Sequence, residues 1–471
     1  MAEQHSSEAR IIRCILSKGD GSQPVNLGQD MIAGFTVHES LLSPFMGGAI
    51  VLSDSKGLVN TYPIQGGENL EIEVKTTFED APIVYKFKIY KIYNRILKNK
   101  IQVYSLGLIS SEALVNETKR ITRNLTGNPE SVVKDLLVND LQTTKEVYSE
   151  ASRFELKISP SRARPFDIIS KVQNKSVSPK TDYAGANSTN TTETAQQIKG
   201  SAGFFFWETR RGYNFFSIDA LCDVSEDGKF SAPKLQSQAW GPYIEAVANT
   251  DQSGDQRFLI KDFALDAEID IIQSLRKGKY SSLMVFFNHS TGQYEEYVYK
   301  IKDSYDNMAH LGGQESVSLI PTNQIELSDY PTRIMSMLLD HESWYNDPGI
   351  ANPEDPNAKD PTTFADWQKY YAAQGAARAE LLKNQQGVLQ IPGNPLVCAG
   401  DKIDLRIQSK LADAQRKRQP LDEESSGVYL VKETTQTYNF LEGSNGTLNT
   451  TLRLFRDSYG MKDKPSNHGN K

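Results

Sequence analysis

Asp340-His341-Glu342 is the densest knot of potential metal ligands in the 471-residue chain, and its surroundings do not support a metal. A helical zinc-protease site needs a second histidine four residues from the first, and none stands there. The other histidines are scattered, with His5 and His468 near the two ends. Paired carboxylates could divide the acid and nucleophile roles of glycoside cleavage. The adjacent pairs here, Glu295-Glu296 and Glu423-Glu424, read instead as solvated strand and loop residues. There is no Gly-x-x-x-x-Gly-Lys-Ser phosphate cradle, no dinucleotide fingerprint after a parallel strand and no Gly-x-Ser-x-Gly elbow. The aromatic stretch Phe204 to Phe216, with Trp207 inside it, could stack on sugars or bases. Its alternation turns several rings inward, which is the signature of core packing. Asp54-Ser55-Lys56 could touch a partner, and a plain turn accounts for it equally well. We therefore assign no catalytic, cofactor-binding or metal-ligating residue, and the chain does not read as an enzyme.

Composition narrows the class further. The formal charge is −7, and Arg416-Lys417-Arg418 is the only run of three basic residues. That balance does not suit a nucleic-acid reader. Cys14, Cys222 and Cys398 lie far apart, with no Cys-x-x-Cys spacing, so buried thiols in a reducing compartment are expected. The polar N-terminus predicts no secretion signal, and no apolar run reaches the roughly 20 residues that span a bilayer. A soluble chain made in a cytoplasm is the expectation.

The elements that would position these residues are mostly strands. In Gly67 to Val74 the residues Leu70, Ile72 and Val74 alternate with acidic ones, as in a strand with one wet face. Phe87 to Ile92 and Ile101 to Leu106 follow, making a three-stranded meander. Gly400 to Ile407 repeats the opening position by position, and Val428 to Val431 and Leu448 to Leu454 repeat the paired strands. One unit written twice is the simplest account. Upstream, Ile11 to Leu16, Ile32 to Glu39 and Gly48 to Ser53 read as further strands of the first copy, the last ending in the turn Asp54 to Gly57. Ser282 to Asn288, followed by Ser290-Thr291-Gly292, resembles Gly48 to Gly57 and suggests that the second copy begins near Arg257.

Helical signals lie between. Asn128-Pro129 and Arg164-Pro165 place proline at helix starts, the second helix burying Phe166, Ile169 and Val172. Pro331 to Leu339 also reads as helical, and Thr363 to Gln385 as a long helix with a capping box at Thr363 and Asp366. Lys175 to Lys199 is rich in Ser, Thr, Asn and Gly and reads as a loop inside a domain.

The expected fold is thus mainly β with an α+β insert: two similar antiparallel β-barrel domains and a mixed α/β domain. The boundaries are 8–110 for the first barrel and 111–256, continued by 303–385, for the mixed domain. The second barrel takes 257–302 and 386–457, and 458–471 is a flexible tail.

With Gly48 to Gly57, Gly67 to Val74, the Arg164-Pro165-Phe166 helix, the Phe204 to Phe216 hairpin, the helix before Gly387 and the Gly400 to Ile407 strand in this order, the sequence resembles the baseplate hub proteins of contractile-tailed bacteriophages. These are related to the hub part of type VI secretion spike proteins and to late-control tail proteins. The resemblance implies a homotrimer whose two tube domains per chain form a pseudo-sixfold ring. That ring joins the sixfold tail tube to the central spike at the virion baseplate, with other baseplate proteins as neighbours and assembly in the host cytoplasm. It implies no cofactor, no membrane insertion and passage of DNA through the lumen without specific binding. Residues 175–199 and 340–361 depart from the family as insertions, and a fused spike is not expected beyond the second meander. A tail-associated cell-wall-degrading enzyme and a carbohydrate-binding adhesin using the aromatic hairpin are the competing readings.

Overall fold

The structure, a computed structural model, describes residues 7–77, 81–98, 101–180, 201–225, 240–245, 256–267, 270–289, 291–313, 319–320, 325–341, 344, 364–412, 420–440 and 446–461. The basic block at 416–418, the acid Glu342, the cap residue Thr363 and most of the two expected insertions lie outside them.

Alternation builds the first barrel. Its own strands are β1 (Glu8–Ser17), β2 (Ile32–Ser40), β3 (Gly47–Asp54), β4 (Asn69–Thr76), β5 (Ile83–Lys98) and β6 (Ile101–Ile109). They pair antiparallel in the order β2-β3-β6-β5-β4-β1. On β4 the residues Leu70, Ile72 and Val74 are buried, while Glu71 and Glu73 face out and hold the Arg13 guanidinium at 2.8 and 2.5 Å. Cys14, Leu16, Ile50, Leu52, Ile89 and Leu106 fill the interior with the β4 residues. Burying such side chains contributes about 2 kcal/mol each.

A mixed region follows, with α1 (Ser111–Thr118), α2 (Pro129–Asp135), α3 (Pro165–Asn174) and the aromatic hairpin of β7 (Phe204–Thr209) and β8 (Gly212–Ser217). As expected, Phe166, Ile169 and Val172 face the core. Beyond it come β9 (Asp262–Ala267), β10 (Ser281–Asn288), β11 (Gln293–Lys300), β12 (Arg333–Leu338), α4 (Phe364–Leu381), β13 (Gln385–Pro392), β14 (Lys402–Arg406), β15 (Gly427–Asn439) and β16 (Gly446–Arg456).

The second barrel runs β9-β13-β16-β15-β14 antiparallel. It continues into two short strands, Tyr243–Glu245 and Leu259–Ile260, that pair parallel. A wholly antiparallel second barrel, as the alternation suggested, is therefore corrected at this end.

The two copies share hydrogen bonds as well as pattern. The Gly67 N–H donates to the Ile89 carbonyl at 2.7 Å, and the Ile89 N–H to the Glu68 carbonyl at 2.9 Å. In the second copy the Gly400 N–H donates to Val431 and the Val431 N–H to Asp401, both at 2.8 Å. Gly67 and Gly400 hold φ of 87° and 89°, the left-handed region that favours glycine. The buried acid after each glycine turns back on its own loop. Glu68 accepts the N–H groups of Gln65 and Gly66, and Asp401 accepts that of Cys398. Immediately after Ile89 and after Val431 the register shifts by a bulge. Along these ladders, Gly48 opposes Leu108 as Gly387 opposes Leu454. Next in line, Phe35 opposes Ile50 as Phe263 opposes Leu389.

Three expectations are corrected. The β10–β11 hairpin pairs with β12 in a separate three-stranded sheet that shares the mixed core, so 281–300 is not part of the second barrel. The counterpart of Gly47–Asp54 is β13. Turn-flanked apolar strands look alike in sequence; Gly48 and Gly387 match because each sits against a neighbouring backbone, where a Cβ would meet the Thr36 carbonyl at 2.3 Å and the Ala264 carbonyl at 3.1 Å. Second, the Pro331 segment forms strand β12, because Arg333 to Leu338 pairs parallel with β10 and tertiary pairing overrides the local helix signal. Third, residues 458–461 are largely buried, with the Gly460 carbonyl accepting from Arg456, so the expected tail does not begin at 458.

The long β15–β16 hairpin belongs to both barrels. Below the bulge at Lys432, β15 pairs with β14; above it, Glu433 to Asn439 pairs with β2. At the tip, Gly446 and Thr447 pair with β1. The hairpin thereby closes the gap between β1 and β2, and Tyr438 and Leu448 enter the first barrel's core.

Candidate assembly surfaces

The sequence-level candidates for chemistry do not converge. Asp340 forms an ion pair with Lys175, and among the described residues no group of three or more His, Cys, Asp or Glu side chains could hold a metal. Cys14, Cys222 and Cys398 are free and buried, and burial pushes the Cys14 and Cys398 thiols up to about 12, as inert core cysteines. Asp54 accepts the Lys56 N–H at 3.0 Å and the Val59 N–H at 3.4 Å, the plain turn. Glu423 and Glu424 lie in the loop before β15, and Glu296 is exposed on β11.

The aromatic hairpin is a keystone between the barrels. Trp207 has no exposed surface and donates its indole N–H to the Ala399 carbonyl at 2.9 Å, in the second barrel. Glu208 accepts the Met46 N–H from the first barrel at 2.9 Å and pairs with Lys145 at 2.6 Å. At the turn, the Arg210 N–H donates to Glu39 of β2 at 2.7 Å, and Arg211 pairs with Asp401 at the head of β14. Glu39 also accepts the Ala399 N–H at 3.1 Å. Burial pushes the Glu39 carboxyl above its ordinary range, against the two N–H donors and the nearby guanidinium groups of Arg210 and Arg211. One two-residue turn thus fixes both barrels.

A second buried node ties α4 to the end of β16. Arg378 is fully buried between Asp219 and Asp457, at 3.0 and 2.8 Å. His310 reaches Asp457 at 2.8 Å. Burial alone would raise Asp457, but Arg378 and His310 hold its carboxyl well below the usual carboxylate range. Sequence reading missed this node. Its signal is a lone charge among small or apolar neighbours, as in Ala376-Ala377-Arg378-Ala379 and Ile218-Asp219-Ala220.

One exposed apolar feature is an arm. Beyond the bulge, β5 and β6 leave the barrel body, and Ile96 and Leu97 are 61% and 67% exposed, with Ile92 and Ile101 beside them. Between Ile83 and Ile109 the chain has six basic residues and no acidic one.

No protein-family description and no curated protein matches this sequence. Among solved structures, the chain is similar to the tail protein from Neisseria meningitidis MC58, at 12% identity, covering 94% of this chain and 97% of that one, with a TM-score of 0.47. It is also similar to the 43 kDa tail protein of prophage MuSo2 from Shewanella oneidensis, at 9% identity over 94% and 98% of the two chains, TM-score 0.44. A third is an Escherichia coli component of the type VI secretion system, at 9% identity over 92% and 76%, TM-score 0.37. These are likenesses of backbone course to two tail proteins and a type VI secretion component.

Proposed function

We propose that this protein is a non-enzymatic structural hub of a contractile phage tail, a homotrimer that joins the sixfold tail tube to the central spike at the virion baseplate. The observation that carries this reading is the repeated register. Two barrels with the same glycine-headed strand, bulge and partner order stand in one chain, fused through one shared hairpin. Three such chains offer six similar units to a sixfold partner, which resolves a symmetry mismatch. The keystone contacts support it, because a ring of six needs the two barrels of each chain held at a fixed angle. The burial of Trp207 and of the other rings on β7 and β8 speaks against an adhesin that stacks sugars on them.

The chain's negative balance suits a lumen through which DNA slides without adhering. The spike, the tube and other baseplate proteins are the partners, and assembly in the host cytoplasm is part of the proposal. Light scattering on the purified chain should give three times the chain mass of 52.6 kDa, and that mass plus the spike's when the spike is bound, and electron images should show six peripheral lobes. A single-chain mass in both conditions would overturn the reading. Tight, salt-sensitive DNA binding by the trimer would overturn the inert lumen, and lysis of peptidoglycan by pure protein would favour an enzyme.

A further inference from the structure

The shared hairpin and the exposed arm occupy equivalent positions in the two copies. Ile89 corresponds to Val431 by the glycine-head hydrogen bonds, and the bulge follows each. Counted along β6 and β16, Leu97, opposite Gln102, corresponds to Tyr438, opposite Leu448, and Lys98 corresponds to Asn439; β5 carries one irregularity more than β15, between Tyr93 and Ile96, just as β9 carries one, between Leu265 and Ala267, that β2 lacks at the equivalent place. In the second copy this segment leaves its own barrel and closes the first, pairing along β2. In the first copy the equivalent segment is the arm, and among the described residues it meets no strand beyond β5 and β6.

The equivalent of β2 is β9. It pairs with β13 on one side, and among the described residues no strand pairs with its other edge. Phe263, which stands where Phe35 stands, is only partly buried, whereas Phe35 is covered by Tyr438. Asp262 and Asp266 on this edge are exposed. An open edge with unpaired backbone groups is a template for another strand.

We propose that the arm of one chain, Tyr93 to Lys98, adds to the outer edge of β9 in a second copy of this chain, as Thr435 to Asn439 adds to β2 within a chain. The register carries over: Tyr438 opposes Phe35 and Asn439 opposes Gly34, so Leu97 falls on Phe263 and Lys98 on Asp262. The pairing covers exposed apolar side chains. The contact is head-to-tail, and closing it over three copies alternates shared hairpin and arm around the ring. This rests on the homotrimer proposed above.

The test joins Lys98→Cys with Asp262→Cys in one chain, under copper-phenanthroline oxidation at high protein concentration. The native thiols are buried, so covalent dimers and trimers on a non-reducing denaturing gel are expected from the double variant and from neither single variant. In parallel, Leu97→Asp should lower the scattering mass from three chains to one, with an unchanged far-ultraviolet dichroism spectrum. A trimer that neither cross-links nor responds to Leu97→Asp overturns the arm pairing and leaves the homotrimer standing. A wild-type chain that stays at one chain mass overturns both. If Leu97→Asp keeps the trimer but loses retention on DNA-cellulose, the basic arm serves nucleic acid and the pairing is likewise overturned.

Discussion

Tyr438 of the C-terminal hairpin stacks on Phe35 of the N-terminal barrel, with ring centroids 5.2 Å apart and planes within 11°. Both rings are fully or almost fully buried, so the pair seals the seam where the second copy completes the first. Tyr438→Ala removes that seal and opens a cavity in the first barrel's core. We expect a loss of about 3 kcal/mol, read from urea unfolding, with the m-value showing whether the seam opens alone or with the whole chain.

Arg378 is a different kind of joint. Arg378→Met preserves much of the volume and leaves the carboxylates of Asp219 and Asp457 buried beside each other without their cation. Breaking a buried pair from one side costs about 3–5 kcal/mol. Thermal unfolding at neutral pH should show the full loss. It should shrink as the pH falls below about 4, where the wild-type chain begins to lose what its depressed Asp457 contributes while the variant's crowded carboxylates are relieved by protonation.

Gly67 and Gly400 share a backbone conformation but not a setting. A Cβ at Gly67 meets nothing within 4 Å, whereas one at Gly400 would stand 2.4 Å from Cζ2 of Trp207. Gly67→Ala should cost about 1 kcal/mol for the left-handed backbone alone. Gly400→Ala should cost about 3 kcal/mol, because the keystone indole must also move. Denaturant midpoints of the two variants compare them directly, and equal losses would remove the indole contact as the reason for the second glycine.

Lys402 is buried, donating to the carbonyls of Ala220 and Asp223 at 3.4 and 2.9 Å, and burial pushes its ammonium down to about 8. An unfolded lysine titrates near 10.4, so between pH 8 and about 10 the unfolded chain binds the extra proton and stability rises with pH. Lys402→Met lacks this group, and other titrations cancel in the comparison. The wild-type protein should gain on the variant by about 2 kcal/mol between pH 7 and 10 in parallel thermal melts.

Sequence made some of this legible and hid the rest for identifiable reasons. The alternation in Gly67 to Val74 and its echo at Gly400 mark the two heads, because polar alternation and a left-handed glycine are local properties; that Lys402 to Leu405 is buried on both faces, unlike the alternately buried first head, is set by what packs on it and is not local. The proline-led helices at Pro129 and Pro165 are local for the same reason. Partner choice is not. Ser282 to Asn288 has the look of a barrel strand, yet its partners are Gln293 to Lys300 and Arg333 to Leu338. Nothing near Tyr438 announces Phe35, at the far end of the chain. The node of Arg378, Asp219, His310 and Asp457 draws on four distant stretches, and only its lone charges among apolar neighbours hint at it.

The seam sealed by the C-terminal hairpin also orders events at the ribosome. Residues 8–109 emerge before the hairpin, and their sheet stays unclosed until the segment ending at Arg456 has left the exit tunnel. For most of translation the nascent chain therefore carries two strands, β1 and β2, each bare along one edge, beside an apolar interior. Such intermediates invite aggregation or chaperone capture, and a chain released early, before Tyr438 is made, would be recognised by that defect and cleared.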